Sequence, residues 1–429
     1  MIAALLVTAC TPPCALTQPQ TPSPHRVSVD WAAHGTRAAS VRYQVDDASS
    51  TVDAVLEDGR WSAILSLLPP LTQVPFQAFE GDSLVCGGVV ETQNLPATLP
   101  TWEVSGDPSW AQLLAVAMGK QHALFMIDPQ GRYRWHHLDH DDRGMLDVAV
   151  GTDGLYYNTI DPRLVEDLGA VVAVSESGAL LDEQPATGMH HTFTLLPDGG
   201  FAYLATDTRP WTNPHTGETE SVVGDAIWEV SKDGSRREVF SLWDHLEPRV
   251  HEHWDDRFYV QGRDWSHGNA ITHDADRDSY LVSFGNLDLL MEIDRQSGAP
   301  LLSISPETWT ITGHVYDFPH APSWQGADRL LLFSYADGAI GAVEYTVDPG
   351  QQTLTTSWSH TRSGDWLPML GSTQRLESGN TLINYGASGL LEEVTPAGVS
   401  VWSLSGPFGA WIGGSVPLSV VPHGIGAGT

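Results

Sequence analysis

Four histidines, His190, His191, His267 and His320, carry the chemistry this sequence offers. Each stands where a polar stretch runs into a β-like segment, as in Met189-His-His-Thr-Phe193, Ser266-His-Gly-Asn269 and Phe318-Pro-His320. A neutral imidazole near pH 7 is both a nucleophile and a proton carrier, so a group of them can support covalent group transfer or acid–base catalysis. Three histidines with an open position are also a zinc arrangement. The chain holds 18 histidines, and one taken alone is most often a packing or surface residue. His136, His137 and His140 sit in a charged stretch of that kind. What sets the four apart is that they recur at one position of a repeat.

Other chemistries are poorly supplied. The cysteines are Cys10, Cys14 and Cys86, so the body of the chain after residue 86 has no Cys nucleophile, Cys-based zinc site or disulfide scaffold. The acidic run from His273 to Asp278 lacks the ordered spacing and the glycine of a calcium loop and reads as a solvated hairpin. A formal net charge of -32 argues against nucleic acid and anionic membrane surfaces as partners, since both require basic patches. No uncharged apolar run reaches the roughly 18 to 20 residues that span a bilayer.

The elements that must position the histidines are short strands. From about Thr101 onward, turns ending in glycine recur at Asp128–Gly131, Ser175–Gly178, Ser231–Gly234, Asp294–Gly298, Asp348–Gly350 and Thr395–Gly398. Six units of roughly 45 to 60 residues match the blade length of a β-propeller. Thr206 to Ser221 and Trp243 to Gly262 read as insertions. Tight hairpins such as Leu196-Pro-Asp-Gly-Gly-Phe201 and Leu376–Leu382 place the innermost strands in register. The third blade then begins at His190-His191, the fourth at His267, the fifth at His320 and the sixth near Thr373. Innermost strands line the axis of a propeller, so these positions are expected to converge there.

Before the propeller, residues 25–100 alternate apolar and polar positions, as in Val27–Trp31 and Ser40–Val45. They read as a small β-sandwich of the fibronectin type III kind. The expected fold is therefore all-β: a β-sandwich domain followed by a six-bladed β-propeller over 101–429. Residues 1–24 read as a leader and a Pro-rich tether. Ile2–Val7 followed by Val7-Thr-Ala-Cys10 resembles a bacterial lipobox, which predicts export and lipid attachment at Cys10. Cys14 and Cys86 then remain to form one bridge in an oxidising compartment.

The stretch Asp264-Trp-Ser-His267-Gly-Asn269, with Val282–Asp288 and Glu292–Asp294, resembles the bacterial arylsulfate sulfotransferases of the PAPS-independent type. The likeness continues through Met189–Gly199, Gly224–Val230, Phe318–His320, Val343–Tyr345 and Gly379–Gly386, and covers roughly residues 101 to 405 in order. It implies a periplasmic or envelope enzyme that moves a sulfuryl group from an aryl sulfate to a phenol through a sulfohistidine, with no cofactor or metal. By position in the motifs, His320 is the nucleophile, His267 with Asn269 the second catalytic element, and His191 or His190 the third. Thr373 is the blade-six counterpart. The family carries an Arg where this chain has Gly285, and this chain has Pro319 before the nucleophile. Arg263, Arg277 and Arg362 are the candidates to bind the sulfuryl oxygens instead. A propeller that only binds a ligand or partner is the alternative.

Overall fold

The computed structural model describes residues 14–17 and 24–418, apart from 36, 111, 140–142, 162–166, 176, 252–253, 255–257, 337, 365, 368 and 408. Cys10 therefore lies outside the described residues. Among those described, regular structure is strand throughout, apart from three single 3₁₀ turns at Leu242–Asp244, Gly285–Leu287 and Gly386–Ser388. Among the described residues, no helix is long and apolar enough to cross a membrane.

Six sheets, each built on four antiparallel strands, form the blades of the propeller. Blade two holds the strands Gly144–Val150, Leu155–Ile160, Ala170–Val174 and Leu180–Pro185. Blades three, four, five and six begin with Met189–Leu195, Gly268–Asp274, His320–Trp324 and Ser372–Arg375. The recurrent glycine turns join the third and fourth strands of each blade. The expected insertion at Thr206–Ser221 takes the form of an extended hairpin: Phe201–Thr212 and Thr219–Val230 stay paired over their whole length.

The sequence gives no sign of how the ring closes. Ile412–Leu418 returns to become the innermost strand of blade one, with Leu113 opposite Leu418. Glu103–Gly106 adds an outer strand to blade six, with Trp402 opposite Gly106. Each end of the propeller segment thus completes the other's blade. Middle strands are buried on both faces, as along Ser279–Phe284, because each blade packs on two neighbours. Leu204 and Ile227 of blade three meet Ile271, Val282 and Met291 of blade four in one apolar cluster.

Residues before 100 form two four-stranded sheets. One is ordered Ala15–Thr17, Val27–Ala32, Arg60–Leu65, Val55–Glu57, and the other Ala48–Asp53, Ala39–Val45, Gln73–Glu80, Ser83–Glu91. This is the wiring of immunoglobulin-type sandwiches. Val29, Trp31, Val41 and Phe76 fill the space between the sheets, and a Cys14–Cys86 disulfide ties the first strand's lead-in to the last strand.

This sandwich is held to blade one by polar contacts. Arg132 pairs with Asp46 at 2.7 Å, and Arg134 Nε donates to the Leu67 carbonyl at 2.6 Å. His25 Nδ1 donates to the Leu68 carbonyl at 2.8 Å, and its Nε2 lies 3.0 Å from His136 Nδ1. Burial lowers the pKa of His25 to about 3 and that of His136 to about 4, with neighbouring positive charge adding to the effect. Both must stay neutral in the folded protein, whereas the unfolded chain takes up these protons near pH 6.5. Their contribution to stability is whole above pH 6.5 and is lost as pH falls toward 4 and 3. The melting temperature is therefore expected to drop between pH 7 and pH 5. A His25→Leu, His136→Leu double variant should make that slope shallower. A melting temperature unchanged over this range in the natural protein would contradict the account.

Candidate active site

The innermost strands of blades three, four and five each carry a β-bulge at their head. Pairing slips between Met189 and Phe193, between Gly268 and Ala270, and between His320 and Ser323. His191, His267 and Ala321 lie there in the left-handed region, at φ 55°, 50° and 47°. Such a backbone is uncommon for residues with a side chain and gathers at functional sites, where surrounding contacts hold it. A bulge also re-aims side chains that strand alternation would send elsewhere.

The bulges bring the histidines together. The ring centroid of His191 lies 4.9 Å from that of His267 and 6.4 Å from that of His320. His190 and His191 face each other with their Nδ1 atoms 3.0 Å apart. All four histidines line one cavity of about 860 Å³, walled by Phe258, Phe318, Tyr335 and Trp411. A narrower channel of about 390 Å³ with Asp147 and Thr373 on its wall also touches His191 and His320.

Two buried carboxylates set the geometry. Asp264 accepts from His267 twice, from the backbone N–H at 3.1 Å and from Nδ1 at 2.5 Å. That fixes the ring and leaves proton exchange to Nε2. Asp225 on blade three accepts from Ser266 Oγ at 2.5 Å and from the Gly268 N–H at 2.7 Å. Its other oxygen lies 2.9 Å from His190 Nε2, off the line of a good hydrogen bond. Burial alone would raise the Asp225 pKa, but His190, Ser266 and Gly268 outweigh it and hold the group below the usual carboxylate range. Position 268 must be glycine, because a Cβ there would stand 2.8 Å from the Asp225 carboxyl carbon.

The environment keeps two of the imidazoles neutral. Burial lowers the His320 pKa to about 3; the neighbouring His267 adds to this and the Gly371 backbone opposes it. The buried Nδ1 of His320 makes no hydrogen bond of good geometry among the described residues. His191 is pushed well below its ordinary value by burial and then by His267, His190 and His320. Among the described residues no group of three or more His, Cys, Asp or Glu side chains is arranged to hold a metal ion.

The other expected site residues fall elsewhere. Asn269 is wholly buried, accepting from Ser283 Oγ at 2.5 Å, and is not part of the cavity wall. Thr373 lines the channel but not the cavity. Arg263 is paired with Glu220 at 2.5 Å, Arg362 with Glu392 at 2.5 Å, and Arg277 with Asp274 at 3.5 Å. None of these arginines reaches the cavity, which corrects the expectation that one of them replaces the missing cation. Beside Gly285 stands an aromatic ring: a Cβ at 285 would lie 2.8 Å from Phe318 and 3.0 Å from Asn269 Nδ2. Phe318 and its wall partners Phe258 and Tyr335 were invisible as site residues, since isolated aromatics in a sequence usually mean core. Asp264 had a legible signal in its three-residue spacing from His267. Asp225 had none, because it comes from a different blade.

The family model for arylsulfotransferase (ASST) matches residues 103–310. Residues 103–310 belong to the arylsulfotransferase family. The matched part holds His190, His191, His267, Asn269 and Gly285, while His320 lies beyond it. No curated protein matches the chain. Among solved structures, a Bacteroides caccae protein of unknown function has a TM-score of 0.45 and 15% identity, covering 71% of this chain and 98% of its own. Streptogramin B lyase has a TM-score of 0.40 and 10% identity, covering 71% and 98%. A catalytically inactive virginiamycin B lyase from Staphylococcus aureus with quinupristin has a TM-score of 0.39 and 11% identity, covering 89% and 99%. Likenesses at this level carry no functional inference.

Proposed function

We propose that this chain transfers a sulfuryl group from an aryl sulfate to a phenolic acceptor by a ping-pong route through His320, without PAPS. The observation that carries the reading is the convergence of His191, His267 and His320 from three consecutive blades on one aromatic-walled cavity. In the first half-reaction a ring nitrogen of neutral His320 forms an N–S bond as the S–O(aryl) bond breaks. The electron pair leaves on the phenolate oxygen, which takes a proton from His267. In the second half-reaction the acceptor phenol gives its proton back to His267, its oxygen forms the new S–O bond, and the N–S bond breaks. Asp264 holds His267 in one orientation and stabilises its charged form. His191, kept neutral by burial, can donate a hydrogen bond toward the sulfuryl oxygens, where charge builds up.

The Cys14–Cys86 disulfide supports export to an oxidising compartment, and the lipobox-like run ending at Cys10 supports lipid attachment there and a place in the periplasm or cell envelope. Intact-mass analysis after mixing with 4-nitrophenyl sulfate tests the reading: it should find one added sulfuryl group, mapped to His320 and discharged by phenol. Complete absence of the adduct in folded protein would sink it. Phe318 beside Gly285 favours a second reading, a propeller that binds aromatic ligands without transfer. Binding of 4-nitrophenyl sulfate with neither adduct nor turnover would favour that one.

A further inference from the structure

The cavity is larger than a simple phenyl sulfate requires. At about 860 Å³ it falls toward the upper end of the roughly 300 to 1,000 Å³ range of pockets for drug-sized ligands. Its wall is mainly aromatic and apolar around the histidines, and it carries two carboxylates, Asp264 and Asp317. Lys120 is the only Lys or Arg side chain on that wall among the described residues. It is one of just two lysines in a chain of net charge -32.

Its place in the ring decides what it can touch. Lys120 lies between the strands Leu113–Met118 and Ala123–Ile127 of blade one. In a ring of six, blade one is diametrically opposite blade four, which presents His267, while His190, His191 and His320 come from blades three and five. Lys120 therefore faces the histidine cluster from the opposite side of the ring. Its ammonium lies over Gly409, 3.7 Å from where a Cβ would be. No ion pair or hydrogen bond is found for it among the described residues.

We infer that the native ligand is an extended aromatic molecule with a second anionic group at the end remote from the reacting oxygen, and that Lys120 binds that group. This rests on the sulfuryl-transfer reading of the same cavity. An acidic protein repels an anionic ligand at long range, so a cation on the wall is where such a ligand gains local attraction. Because Lys120 is exposed, the contact is screened by salt and of modest strength.

The test uses a matched pair of donors, biphenyl-4-yl sulfate and its 4′-carboxylate. In the natural protein the carboxylated donor should have the lower KM by roughly fivefold at low salt. Lys120→Ala should collapse that ratio toward one, Lys120→Arg should restore it, and raised salt should erode it. Binding of the corresponding phenols, 4-phenylphenol and its 4′-carboxylate, is followed by calorimetry in parallel, so the readout does not depend on turnover. Transfer with no preference for the carboxylate, or a preference that survives Lys120→Ala, overturns the role of Lys120 and leaves the transfer reading standing. Carboxylate-selective binding that is lost in Lys120→Ala, without any transfer, supports Lys120 and removes the transfer reading.

Discussion

Alanine at position 320 is expected to lower aryl sulfate turnover by roughly 10³-fold or more, because the group that forms the N–S bond is gone while the cavity and its aromatic walls persist. The loss should fall on kcat, and the sulfuryl adduct should disappear with it. Folding is the necessary control, since His320 is buried and its removal leaves a void. His320→Asn keeps a polar side chain of similar size and should be equally inactive. The pH dependence separates a chemical role from a structural one. The folded-state pKa of about 3 lies below the ordinary 6.5, so the nucleophile stays neutral throughout the working range and sets no acid limb near pH 6. The sign for stability is the opposite of helpful: as pH falls below 6.5 the unfolded chain gains a proton that folded His320 resists. At pH 5 this disfavours the fold by on the order of 2 kcal/mol. His320→Ala should therefore be less acid-sensitive than the natural protein even while it is inactive. Unimpaired transfer by a folded His320→Ala protein would end the proposed mechanism.

Asp225→Ala is expected to be the most damaging single change to stability near the site, at roughly 3 to 5 kcal/mol. The carboxylate is 2% exposed and satisfies Ser266 Oγ and the Gly268 N–H. Its loss strands these donors without water. Natural domains have only about 5 to 15 kcal/mol of stability in total, so a sharply lowered denaturation midpoint should result. Asp225→Asn tests the charge at constant size, because its amide oxygen can still accept from Ser266 and Gly268 while its N–H₂ faces His190. The pKa of Asp225 is depressed in the fold. Its contribution is therefore complete above the unfolded value near 4 and is lost as pH falls through the lower folded value. The activity loss should exceed the stability loss, since Ser266 and Gly268 flank His267 and Asp225 fixes the bulge that aims it. A denaturation midpoint within experimental error of the natural protein would show that the Asp225 contacts do not hold the bulge.

The two effects trace the division between what a chain spells out and what its fold decides. The six blades were legible because each repeats the same local grammar: a strand, a glycine turn and a hairpin such as Leu196–Phe201, all set by interactions a few residues apart. His190, His191, His267 and His320 could be placed at one ring position for the same reason, since register within a hairpin is local. The closure of the ring was not legible, because Leu113 meets Leu418, and Trp402 meets Gly106, only after the whole propeller has formed.

The substitute for the family arginine shows the same limit at the site. Arg263 and Arg362 were plausible on charge alone, yet each is drawn to a carboxylate, Glu220 on a neighbouring strand or Glu392 on the next blade. The space beside Gly285 is taken by Phe318, from the next blade. By itself, the sequence determined the architecture and the ring of imidazoles, through local periodicity and turn chemistry. Only the tertiary structure decided how three bulges turn those imidazoles toward one another, which carboxylates hold them, and that the facing cation is Lys120. Those outcomes depend on contacts between blades, which no local pattern encodes.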